Sequence, residues 1–237
     1  MSNNMQTMAI SNPRTGLGDF DLPLYTLQHV ADEAKRLKLH QSQWWNMGLG
    51  ERIAVMQNLA NSMAEYKAHL VAALINDTGR ASESELEVDV TINAIHRWCK
   101  QVPALLAKGE PWSAEIPFIE LQQDYLPYPL VGVISPWNFP LLLSLVDAIP
   151  ALLAGSAVLI KPSEVTSRFV APFNEVLKRI PMLNNVLTLV TGAGETGQAV
   201  INAVDSLCFT GSVATGRHVG QLCAQRFIPA FLELGGK

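Results

Sequence analysis

The chain is 237 residues long, 49% hydrophobic and 16% charged, with a formal net charge of −4. That length buries a substantial core in one large domain or two small ones. The lack of any basic run argues against nucleic acid as a partner.

Three widely spaced cysteines, Cys99, Cys208 and Cys223, form no CxxC pair and fit a reducing compartment better than a disulfide framework. The N-terminus is polar and has no apolar signal core. The apolar runs near 141–146 and 148–154 are too short to span a bilayer. These features read as a cytoplasmic protein with no membrane partner. The apolar composition implies either strands buried on both faces or a surface that another segment or subunit covers.

In chain order, residues 1–20 hold Asn, Ser, Gly and Pro with little apolar pattern and read as a mobile lead-in. Residues 21–115 read as helices: Ile53, Met56, Leu59, Ala60, Met63, Leu70 and Leu74 recur at helical steps. Gly79 supplies a stop, and a further helix is predicted over 82–102. Residues 116–129 mix polar and β-forming residues and read as an extended arm suited to oligomerisation.

From residue 130 the texture changes to short apolar runs at 130–134, 157–160, 186–190, 206–209 and 231–234. Predicted helices at 140–154, 166–180, 195–204 and 213–226 separate them. Strands alternating with helices at this spacing predict βαβ units, so the fold class is α/β with a Rossmann-like parallel sheet over 130–237. All strand C-termini then meet one edge, where ligands bind.

The chemistry-bearing residues follow those strands. Asn138, between Trp137 and Phe139 and bracketed by Pro136 and Pro140, lies in a rigid turn; its amide is an oxyanion donor or simply a turn Asn. Lys161 and Glu164 end the second strand. They form either a pair that grips two ribose hydroxyls or a surface ion pair. Gly192, Gly194 and Gly197 form GxGxxG between a strand and a helix, the context a dinucleotide fingerprint requires. The acidic residue expected about 20 positions later is missing, since Asp205 comes too early. Gly211 and Ser212 open another helix, either as a phosphate turn or as an ordinary N-cap. Glu233, among Phe231, Leu232 and Leu234, is either a general base raised by apolar surroundings or a solvated carboxylate at a loop start. The cysteines read as structural thiols, and the five histidines, His218 included, show no metal-ligand spacing.

The order of these motifs is more specific than any one of them. The chain presents YPLVGVISPWNFP, IKPSEVT, GxGxxG, FTGS with Gly216-Arg217, and LELGGK in register. From about Glu51 onward this resembles the aldehyde dehydrogenase superfamily. The resemblance implies NAD, or NADP, as cofactor and an aldehyde as substrate. Asn138 would complete an oxyanion hole, and Lys161 and Glu164 would hold the adenosine ribose. Gly211 and Ser212 would face the pyrophosphate, and Gly194 and Thr215 would flank the adenine. Glu233 would activate water for thioester hydrolysis, and Gly235 would let the backbone approach the nicotinamide. The family's cysteine nucleophile lies beyond LELGGK, so the resemblance also implies a front half whose full-length parent is a homo-oligomer. A catalytically inactive nucleotide-binding or assembly module is the alternative.

Overall fold

The computed structural model describes residues 6–116 and 118–235. The first five residues of the expected lead-in, Pro117 of the arm, and Gly236 and Lys237 of the LELGGK motif lie outside them.

Where the sequence suggests a mobile lead-in, the structure has an antiparallel hairpin of β1 (Thr7–Ser11) and β2 (Gly18–Pro23). Its stability comes from docking rather than strand propensity. Ile10 and Leu22 are buried, and the buried Arg168 donates to Asp19 of the hairpin and Asp77 beneath it.

Four helices follow: α1 (Leu27–Asn46), α2 (Leu49–Glu65), α3 (Lys67–Thr78) and α4 (Ala81–Leu105). Thr26 caps α1, and Gly79, with φ of 72°, closes α3 in the left-handed conformation that glycine tolerates. The arm is mostly irregular. Among the described residues β4 (Glu120–Leu121) pairs with β3 (Trp112–Ser113), which precedes the arm, and Leu121, Tyr125, Leu126 and Tyr128 are exposed.

The remainder is an α/β unit: β5 (Leu130–Ile134), α5 (Pro140–Leu145), α6 (Ala148–Ala154), β6 (Ala157–Lys161), a 3-10 turn (Glu164–Thr166), α7 (Val170–Lys178), α8 (Pro181–Asn184), β7 (Leu187–Leu189), α9 (Gly194–Ala203), β8 (Ser206–Gly211), α10 (Val213–Gln225) and β9 (Ala230–Leu234). The single helix expected over 140–154 is split at Val146-Asp147.

The five strands form one parallel sheet in the order β7-β6-β5-β8-β9. β6 is buried along its whole length because helices cover both faces. On one face pack α1, α9 and α10, and on the other α6, with α2 and α4 behind it. The chain builds outward from β5 to β7, then returns to place β8 on the other side of β5. That reversal makes a topological switch point, where the loops diverge and leave a crevice.

Candidate active site

A groove of about 1150 Å³ opens over the C-terminal ends of β5, β6 and β8, at the switch point. Eight of the nine residues singled out from sequence line it: Asn138, Lys161, Glu164, Gly194, Gly211, Ser212, Thr215 and Gly235. They come from five separate segments, so the fold, not local sequence, assembles them.

Lys161 is the buried last residue of β6, 5% exposed, and Nζ donates to Glu164 Oε2 at 2.8 Å. Burial raises the Glu164 carboxyl, but the hydrogen bond and charge of Lys161 outweigh it and hold the group below its ordinary value. The pair is a cation and an anion side by side at a strand end, able to donate to one hydroxyl and accept from another.

The GxGxxG glycines have distinct physical reasons. Gly192 has φ of 152°, and a Cβ there would stand 2.0 Å from Thr196 Oγ1, so the turn excludes a side chain. Gly197 packs its helix closely on the sheet, within 3.9 Å of Ile134 and Lys161 for an added Cβ. Gly194 is different: a Cβ would meet no protein atom within 4 Å, and its φ is not positive. Neither packing nor conformation demands glycine there, so what it preserves is open groove at the N-terminus of α9. No side chain caps α9, which leaves its first amides facing that space. Ser212 caps α10 by accepting from Thr215 N at 3.2 Å, and Gly211 lies against the Phe209 ring. Two helix N-termini, an open glycine and a cation–carboxylate pair therefore fit a dinucleotide: anionic phosphates at the amides, a ribose at Lys161 and Glu164.

Glu233 is the exception. Leu232 and Leu234 of β9 turn toward Gly220 and Gly216 of α10, and strand alternation sends Glu233 to the opposite face. There it lines a second cavity of about 760 Å³ with Asp147, Cys208 and Phe231. It is also exposed, so the apolar enclosure expected from its neighbours in sequence does not form. Within that cavity burial raises the Asp147 carboxyl, with the Glu233 charge adding to it. Burial, assisted by Asp147, pushes the Cys208 thiol up to about 12. Cys99 and Cys223 are buried and their thiols are raised too, burial being the main cause in both.

Sequence reasoning passed over three features. His218 lines the groove although its helix reads as an ordinary surface helix; its spacing from Thr215 and Leu222, three and four residues, carried the signal. Asp147 hides in an apolar run. Arg80 and Glu87 reach the Asn138 turn from α4, across more than fifty residues of sequence.

The comparisons agree with this geometry. PutA of Anabaena variabilis, itself assigned as an aldehyde dehydrogenase, superposes with a TM-score of 0.95 at 50% identity, covering 98% of this chain and 49% of that one. A betaine aldehyde dehydrogenase from Staphylococcus aureus, solved in complex with NAD+, superposes with a TM-score of 0.90 at 27% identity, covering 99% of this chain and 48% of that one. A Mycolicibacterium smegmatis protein assigned as a succinate-semialdehyde dehydrogenase [NADP(+)] is 33% identical over 235 residues, 98% of this chain and 45% of its own length. The chain spans about half the length of the curated relatives it matches. The profile of the aldehyde dehydrogenase family matches residues 1–237, and the chain belongs to that family.

Proposed function

We propose that this chain supplies the cofactor groove, the oxyanion amide and the hydrolytic carboxylate of an NAD(P)-dependent aldehyde dehydrogenase, and that the nucleophile comes from outside these 237 residues. The observation that carries the reading is the groove at the switch point, where Gly194 leaves open space beside the Lys161–Glu164 pair. When bound there, NAD(P) accepts the hydride that aldehyde oxidation releases.

The residues of the chain divide the remaining work. Lys161 and Glu164 orient the adenosine ribose, the amides of the Gly211-Ser212 turn hold the phosphates, and Gly194 and Thr215 flank the adenine. Gly235 keeps the backbone close to the nicotinamide side. Asn138 donates its amide to the oxygen on which charge develops. Glu233, in the second cavity beside Asp147, takes a proton from the water that releases the acid. None of the three thiols suits a nucleophile, because each is raised and the thiolate is the reactive form. The exposed arm around Leu121 to Tyr128 supports a homo-oligomer as the working assembly.

The test is titration of the purified chain with NADH, followed by tryptophan fluorescence because Trp137 lines the groove. Saturable quenching is expected, together with no reduction of NAD by aldehydes until a thiolate-bearing segment is supplied. Absence of NADH binding would overturn the reading. Turnover by the chain alone would require Cys208 or Cys223 to act as the nucleophile.

A further inference from the structure

The turn that carries Asn138 is short, exposed at Trp137 and Asn138, and followed by a helix of only six residues. Its two prolines fix φ at 136 and 140 but not at the three residues between them. Yet three side chains distant in sequence grip it, and one local serine pair closes it. Arg80, the residue that opens α4, donates from Nη2 to the Asn138 carbonyl, and its guanidinium lies 4.9 Å from the centroid of the Phe139 ring. Glu87, two turns further along α4 and 2% exposed, accepts on a single oxygen, Oε1, from Leu141 N at 2.8 Å and Leu142 N at 3.0 Å. Thr166, two residues beyond Glu164 in the same 3-10 turn, donates to the Trp137 carbonyl at 2.9 Å. Ser135 and Ser144 join the two ends of the turn at 2.6 Å.

A carboxylate is costly to bury, and burial does raise the Glu87 carboxyl despite the two amides. A group kept there against that cost serves the backbone it holds. Arg80 is itself fixed: Thr78 Oγ1 accepts its amide at 3.3 Å, and Ser84 Oγ donates to its carbonyl at 2.5 Å. The grip therefore runs from Arg80 and Glu87 of the α4 segment to the Asn138 carbonyl, the Phe139 ring and the first turn of α5.

We infer that Arg80 and Glu87 are positioning residues for the Asn138 side chain, holding it at the aldehyde side of the groove while Thr166 ties the same turn to the ribose-binding carboxylate. This rests on the oxyanion role given to Asn138 above, but the experiment below reads the geometry without turnover, so the two can fail separately.

The test uses NMR on the ¹⁵N-labelled 237-residue chain and its Glu87→Leu, Glu87→Gln and Arg80→Met variants. In Glu87→Leu, exchange of the Leu141 and Leu142 amides should accelerate by about tenfold or more, and the Asn138 side-chain amide pair should shift. Glu87→Gln should restore both, because one amide oxygen accepts as Oε1 does; a merely structural loss of charge would not be rescued. Arg80→Met should shift the Asn138 pair while leaving exchange at Leu141 and Leu142 unchanged. If Glu87→Leu fails to fold, Arg80→Met and Glu87→Gln still decide. An unmoved Asn138 pair in Arg80→Met, or a Gln variant that does not match the parent chain, overturns the inference.

Discussion

Replacing Glu164 by Gln removes one charge from the groove while keeping shape and an acceptor oxygen. The Lys161 side chain is 7% exposed and Glu164 35% exposed. A like charge at about 4–6 Å shifts a neighbouring ionisation by about 1–3 pK units. Glu164 is partly solvated, so the low end applies, ~1.4 kcal/mol or about tenfold. The ratio of NADPH to NADH affinity should therefore rise about tenfold in Glu164→Gln, read by fluorescence titration of both reduced cofactors. Stability should fall as well, since Lys161 loses its counter-charge in a buried site. Breaking a fully buried pair costs ~3–5 kcal/mol. With solvent at Glu164 and a Gln oxygen still accepting, ~1 kcal/mol is expected, a fall in Tm of about 2–4 °C. The pH dependence fixes the sign. The folded-state pKa of Glu164 lies below its ordinary 4.5. Its contribution is thus present above that value and lost as pH falls through the folded value. The stability gap between parent and variant should therefore narrow only at pH values below the ordinary carboxylate value, closing as Glu164 protonates in the folded chain. An unchanged cofactor ratio, within a factor of about two, would refute the assignment of Glu164 to the ribose.

Cys208, with its thiol near 12, should resist iodoacetamide at pH 8, where on the order of 10⁻⁴ of it is thiolate. Asp147→Asn should speed labelling, as followed by peptide mass spectrometry; rapid labelling of the parent would refute the raised thiol of half-buried Cys208. Gly211→Ala places a Cβ 2.5 Å from Phe209 Cζ, so it should cost about 1–3 kcal/mol by denaturant melt and weaken NADH binding. Arg52→Met should cost about 1–3 kcal/mol, because buried Arg52 donates to the carbonyls of Leu153 at 3.0 Å and Trp45 at 2.8 Å and the variant removes both donors, although Trp45 keeps the Gly48 amide. Arg52→Lys should rescue only in part, since an ammonium cannot reproduce the fork.

The sheet was legible in the sequence because β5 and β6 are buried almost throughout and so read as unbroken apolar runs. The hairpin at 7–23 was not. Its strand GDFDLP is a poor β-former alone, and contacts with Arg168, 149 residues away from Asp19, hold it. The split between α5 and α6 falls at Asp147, the polar residue between the apolar runs at 141–146 and 148–154, but helical periodicity carries across it and only the fold shows that the helix breaks there. Motif order was enough to nominate eight residues that share one groove, because strand ends of a parallel sheet must converge.

The sequence by itself determined the alternation of strands and helices, the family, and the residue types at each strand end, since these are encoded locally by periodicity and motif. Tertiary structure alone decided which side of the sheet each functional group faces. The contacts of Leu232 and Leu234 with α10 turned Glu233 to the second cavity beside Asp147. It also decided what holds the Asn138 turn, because Arg80, Glu87 and Thr166 reach it through folding and not through proximity in the chain. Side-chain direction and long-range hydrogen bonds depend on which surfaces meet, and no local pattern carries that information.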